Sequence, residues 1–357
     1  MKKRTIKLAV LSLMMTAMLF NCKKDDEPTD PKTPSTETTQ ALNAITLPAQ
    51  TLIEPAAVQS TPASIEASAK ATEVSGALGN IASTGVVPAS VTTAASDVSG
   101  ALSQDEINTL NSVNAETISA VAGGGELSPA LAAILDKVMA NPALAAYLPK
   151  FNFPTVNGVA VRGAKKTTST VTASGARTSG TDAVEKVEGV LVDDACITAA
   201  NTLFNTAKAR LDASKATEDA KVATKYAADI APIAAAQTAC TDGLTATYAG
   251  YRTSAQQIGA DANAALDAAQ GVLGSNYALL KALVSIQVLG TLASINELEA
   301  ADRQACIAKA AAATTNAQAA RDANIAQVNA AYTTALAEAT RLQGEAIRSC
   351  HNQGGGN

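Results

Sequence analysis

The spacing of the last four of the chain's five cysteines restricts what its 357 residues can fold into more than any other feature. Cys196 and Cys240 lie 44 residues apart, Cys306 and Cys350 also lie 44 apart, and the set is centred on Leu273. Leu273 sits inside Gly271-Val272-Leu273-Gly274-Ser275-Asn276, a turn signal between two long Ala-rich stretches. Helices folded back at that turn bring Cys196 to Cys350 and Cys240 to Cys306. A gap of 44 residues is four eleven-residue repeats, so both cysteines of one helix fall on one face. The rival pairing, Cys196 with Cys240 and Cys306 with Cys350, folds each stretch near Glu218 or Val328, where no Gly or Pro marks a turn. Glu218 and Asp229 weigh against the first pairing by interrupting the stripe from Cys196 to Cys240, and Pro232 is expected to kink the first helix. Gly243, Gly250, Gly259 and Gly290 each weaken a helix by about 1 kcal/mol relative to Ala. A fresh helix is expected near Tyr277.

Composition supports a mainly α fold. Residues are 47% hydrophobic but only 3% aromatic, with no Trp, and Ala supplies most of the apolar count. Close-packed helices tolerate such shallow side chains, whereas a sandwich or an α/β core calls for more Val, Ile and aromatics. From 182 to 350, Ala mixed with Asp, Glu, Lys, Arg, Gln and Asn is the signature of long helices or coiled coil. There Ile325, Val328, Tyr332, Leu336, Ala339 and Ile347 follow an eleven-residue pattern suited to nearly straight helix packing. The expected fold is a long antiparallel Ala-rich helical hairpin over 182–350, preceded by a short-helix unit over 51–150.

In that earlier unit, Ser103 before Gln104-Asp105-Glu106 reads as an N-cap with acids in the first turn. Ser128-Pro129 and Asn141-Pro142 each set a capping residue before a helix-starting Pro. Leu131, Ile134, Leu135, Val138, Leu144 and Leu148 follow at helical spacing. Val74-Ser75-Gly76-Ala77-Leu78 returns 24 residues later as Val98-Ser99-Gly100-Ala101-Leu102, a candidate repeat that composition alone could also produce. Residues 151–181, rich in Gly, Thr and Ser without a helical period, are expected to be a linker. Phe151 and Phe153 at its start read as a cover on the end of the helical unit, with a contact site as the alternative. Residues 22–50, rich in Pro, Thr and charge, are expected to be a disordered tether reaching up to roughly 70 Å, and 351–357 a flexible tail.

The first 21 residues have the form of a signal peptide. Lys2, Lys3, Arg4 and Lys7 precede an uninterrupted apolar run from Leu8 to Phe20, shorter than the ~20 residues that span a bilayer. The run ends in Leu19-Phe20-Asn21-Cys22, which resembles the lipobox of bacterial lipoproteins. Asn21 stands where enterobacterial lipoboxes have Gly, Ala or Ser, and the relaxed lipoboxes of spirochaetes such as Leptospira accommodate it better. Lys23-Lys24-Asp25-Asp26-Glu27 looks like the charged export signal of surface lipoproteins of Bacteroidota, although charge alone also gives a solvated start. The resemblance implies cleavage before Cys22, lipid on Cys22, a membrane as partner, and an outer-membrane or cell-surface location. It covers about 27 residues and says nothing of the body.

Removing the leader's four basic residues takes the formal charge from −5 to −9, which disfavours a nucleic-acid partner. The single histidine, His351, sits near the Gly-rich C-terminus and is expected to be incidental, which disfavours HExxH zinc sites and nucleophilic triads. Gly123-Gly124-Gly125 and Gly354-Gly355-Gly356 lack the Lys and Ser/Thr of a phosphate loop. The acid pairs Asp25-Asp26 and Asp193-Asp194 lie in solvated surroundings, without aromatic residues to wall a cleft. The sequence thus leads us to expect no cofactor, metal site or small-molecule substrate. The expected role is a non-enzymatic spacer or interaction module with an unidentified protein partner. A periplasmic coiled-coil subunit of an envelope assembly is the alternative.

Overall fold

A computed structural model describes residues 33–162 and 194–352. The leader, Cys22, the charges after it, most of the expected linker and the last tail residues lie outside the described residues. Nine helices and five short strands are found among the described residues. Two of the helices, α8 (Asp194–Leu273) and α9 (Asn276–Asn352), run for 80 and 77 residues and pack closely on each other.

The turn between them falls where the glycines place it. Gly274 adopts φ +55°, and its N–H donates to the Gln270 carbonyl at 3.1 Å, which caps α8. A left-handed residue just past a helix end is inexpensive only without a Cβ. The Tyr277 N–H then donates to the Gly274 carbonyl and α9 begins. Helix α8 continues through Pro232 without ending.

Burial follows the eleven-residue spacing along α9 and along only the first part of α8. In α9, Val284, Ile295, Cys306, Ala317, Val328, Ala339 and Cys350, each eleven residues from the last, are all buried; in α8, Cys196, Ala207 and Glu218 are buried, but Asp229 is half-buried and Cys240 is exposed. Of the six residues whose pattern the sequence suggested, Val328 and Ala339 are buried, Tyr332, Leu336 and Ile347 are half-buried, and Ile325 is exposed. Small residues on this face let the helix axes approach. Gly259 shows the limit of that approach: a Cβ there would lie 2.3 Å from Val288 Cγ2.

The described chain forms two compact units. One contains residues 33–46, 194–212 and 334–352. Here the Cys196–Cys350 disulfide joins the two long helices with Cα atoms 5.9 Å apart. Ala200, Ala207, Ala339, Ala346 and Leu211 are fully buried. Helix α1 (Thr36–Ala44), capped by Ser35, buries Leu42 completely. Arg210 donates to the Leu42 carbonyl at 2.7 Å, and the Ser35 N–H donates to Ser349 Oγ at 3.3 Å. This corrects the expected boundary of the tether: Ala41 and Leu42 give α1 something to bury, so the described part of 22–50 begins with a docked helix.

The other unit contains residues 47–162 and 213–333. It includes α2 (Ala69–Thr84), α3 (Ala89–Ala101), α4 (Gln104–Asn111), α5 (Ala115–Ala122), α6 (Pro129–Ala140) and α7 (Pro142–Ala145). Their starts follow the sequence. Ser103 and Glu106 complete a reciprocal capping box, and Ser128 and Asn141 cap the helices that open on Pro129 and Pro142. Both copies of the candidate repeat bury their Val and Leu, Val74 with Leu78 and Val98 with Leu102.

These helices do not form a separate domain, as the sequence had led us to expect. Val91, Val98, Leu110, Ile134, Val138 and Leu144 share one core with Leu266 of α8 and with Leu280, Leu283, Ile286, Leu289 and Leu292 of α9. The physical reason lies in the first turns of α9, which are apolar on more than one face. By length and composition that stretch could cross a membrane, yet 56% of it is buried inside the unit. One face meets α8, and the remainder needs a second layer. Gly290 gives that layer room, with Leu148 3.1 Å from where its Cβ would stand.

The expected linker is also corrected at its described end. Residues 150–160 form β3 (Lys150–Asn152), β4 (Thr155–Val156) and β5 (Val159–Ala160). β3 pairs antiparallel with β2 (Ser64–Glu66), setting Phe151 opposite Ile65, and β4 lies between β1 (Ser60–Thr61) and β5. Asn157 and Gly158, both at positive φ, turn β4 into β5. Phe151 and Phe153 pack against the core, in keeping with their reading as a cover.

Candidate functional site

The four body cysteines come together in two pairs, Cys196 with Cys350 and Cys240 with Cys306, the second also with Cα atoms 5.9 Å apart. This is the pairing centred on Leu273, and the rival pairing does not occur. Cys22 lies outside the described residues. His351 falls in the last turn of α9, Asp194 is the first residue of α8, and Asp25, Asp26 and Asp193 lie outside the described residues. Gly123 caps α5, with Gly124 at φ +88°; the run therefore ends a helix and starts none. Among the described residues no group of three or more His, Cys, Asp or Glu could hold a metal ion.

Two polar clusters in the second unit were not read from the sequence. The first lies where α8 and α9 meet the strands. The Tyr248 hydroxyl, on a residue 1% exposed, donates to Asp302 at 2.6 Å, and the other Asp302 oxygen accepts from the Ala63 N–H at 3.3 Å. Arg252 pairs with Glu299 and donates to Asn296 at 3.0 Å, while Arg303 reaches Glu299 at 2.7 Å and Thr245 at 3.1 Å. Asn296 in turn donates to the Val121 carbonyl at 2.8 Å. Burial and the Asp302 carboxylate both push the Tyr248 phenol above its ordinary value. Burial also opposes ionisation of Glu299, but the hydrogen bonds from Arg303 and Arg252 outweigh it and hold the carboxyl below its usual range. Each of these groups is turned toward another or toward backbone, so the cluster fixes position and presents no free nucleophile.

The second cluster grips an extended segment, residues 47–58, which has no regular secondary structure. Asn324, 2% exposed on α9, uses both amide atoms on one residue. Its Oδ1 accepts from the Ile53 N–H at 2.7 Å, and its Nδ2 donates to the Ile53 carbonyl at 3.1 Å. Two turns earlier on α9, Asn316 donates to the Ala56 carbonyl at 2.8 Å. From α8, Lys225 donates to Glu54 at 2.5 Å and to Asp229 at 2.6 Å. Polar residues on the flank of an Ala-rich helix were the available signal for this contact, but a solvated Asn looks the same in sequence. Neither family models, curated proteins nor solved structures give a match to this chain.

Proposed function

We propose that this chain is an exported lipoprotein, cleaved before Cys22, held to the outer membrane by lipid on that residue and exposed at the cell surface. Its body is a non-enzymatic spacer or interaction module for a protein partner. The observation that carries the reading is the accounting of cysteines: the four in the body pair with one another, which suits an oxidising compartment and leaves Cys22 unmatched at the end of an apolar leader. Polar interiors spent on holding segments in place favour a binding or spacing role over turnover.

The docked helix α1 also shortens the reach. Ser35, which lies against Ser349, is thirteen residue steps beyond Cys22, and fully extended those steps span about 45 Å. The test is Cys22→Ala in the native host. The variant is expected to lose labelling by a clickable palmitate analogue and to leave the membrane fraction; undiminished labelling overturns the reading. Protease shaving of intact cells then separates a surface protein, which is lost, from a periplasmic subunit of an envelope assembly, which is spared.

A further inference from the structure

We infer that α8 and α9 carry a binding groove for extended peptide, that residues 47–58 occupy it in cis as a displaceable strap, and that an extended segment of another protein takes their place. This deepens the interaction-module reading and rests on it, but not on lipidation at Cys22.

The groove's chemistry recognises backbone. A side-chain amide that meets both the N–H and the C=O of one residue, as Asn324 does with Ile53, selects a chain with unpaired main-chain groups and is indifferent to the side chain it carries. Asn316 adds a single main-chain contact three residues on, donating to the Ala56 carbonyl. Half-buried positions in the strap fall at Leu47, Gln50, Leu52, Pro55 and Val58, and the last three, which flank the clamped residue, keep the spacing of a chain with three residues per turn, whose backbone makes no hydrogen bonds of its own. Extended peptides are held elsewhere in the same manner, by main-chain contacts with pockets at regular intervals. Glu54, placed between Ile53 and Pro55, meets Lys225. The occupant's pattern is therefore apolar residues at every third position, Pro in phase, and an acid next to the clamped residue.

The strap is the weakly held part of its unit. No residue from Asn43 to Glu73 is buried, and Ile53 itself is 38% exposed, whereas Asn324 beneath it is 2% exposed. Few buried apolar contacts mean a low cost of local opening. Opening leaves Asn324 as a buried amide without a partner, which favours recapture of the strap or of a similar segment.

The test uses the full chain in detergent and a fluorescent peptide with the sequence of residues 47–58. In the cis state the strap competes at about millimolar effective concentration, so the wild-type chain is expected to bind the peptide weakly. Combined Leu52→Ser, Pro55→Gly and Val58→Ser should raise affinity at least about tenfold by freeing the groove, and adding Asn324→Leu should remove that gain. No binding to the strap variant at about 1 mM peptide, with its helicity and both disulfides intact, overturns the proposal, as does binding indifferent to Asn324→Leu. Hydrogen exchange on the wild type covers the case in which the variant fails to fold. The Ile53 amide should exchange well before the amides of α9 around Asn324, and exchange only on global unfolding contradicts a displaceable strap. Either failure leaves palmitate labelling at Cys22 unaffected, so the two readings are tested apart.

Discussion

Gly243, Gly250, Gly259 and Gly290 look alike in sequence, four helix-weakening residues in Ala-rich surroundings, and the structure separates them. A Cβ on Gly243 or Gly250 meets nothing within 4 Å, so Gly243→Ala or Gly250→Ala should stabilise the chain by about 0.5–1 kcal/mol through helix propensity. Gly259→Ala drives a Cβ into Val288, which is 5% exposed and has little room to move. Overpacking of that kind costs about 1–3 kcal/mol, and urea unfolding of the three variants should show the opposite signs. Tyr147 and Tyr248 supply a second prediction at this scale. Burial first, then hydrogen bonds to Asp97 and Asp302, raise both phenols above their ordinary value. A pKa raised in the folded state contributes stability that is fully present below the unfolded value of about 10 and is lost as pH rises beyond it. The melting temperature should therefore fall above that pH, less steeply in Tyr248→Phe. Absorbance titration should find Tyr147 and Tyr248 ionising late.

Among the elements, the long helices, their turn at Leu273 and the starts of α4, α6 and α7 were legible because each depends on local chemistry. Gly and Pro punctuation, Ser and Asn caps and an eleven-residue spacing need no partner to be read. The strands at 150–160 and helix α1 were not legible, because their stability comes from residues far away in sequence. Phe151 becomes part of a strand only opposite Ile65, and Leu42 becomes core only against the long helices. The apolar run from Leu279 to Leu298 held a signal that the reading by single faces overlooked. A helix apolar on more than one side must be covered on each of them, which joins 51–150 to α9 as one unit. The Asn324 clamp left only an ambiguous signal, a polar residue on the flank of an Ala-rich helix, which a solvated Asn gives as well. Glu218 does interrupt the buried stripe, at 6% exposure, with Lys221 on one oxygen and no hydrogen-bond partner on the other among the described residues.

The disulfides test this scale directly. They close loops of 66 and 154 residues, and removing either constraint should cost about 4–5 kcal/mol in the chain-entropy model. Cys240→Ser with Cys306→Ser, and Cys196→Ser with Cys350→Ser, are both expected to unfold at lower urea than the oxidised wild type. Unchanged midpoints would show that the bonds add little to a hairpin already held by its packing.

At the scale of the whole molecule, the proposed anchor and the described body bear on each other through compartment and length. Paired body cysteines suit export, and a docked α1 brings Ser35 within about 45 Å of a lipidated Cys22 by covalent geometry alone. Lipidation is therefore the claim on which the proposed function most depends. The direct measurement is the intact mass of the chain purified from host membranes. The account predicts a chain that begins at Cys22 and carries added diacylglycerol mass on that residue, with the four remaining cysteines oxidised. A chain that begins elsewhere, or begins at Cys22 with no added lipid mass, contradicts it.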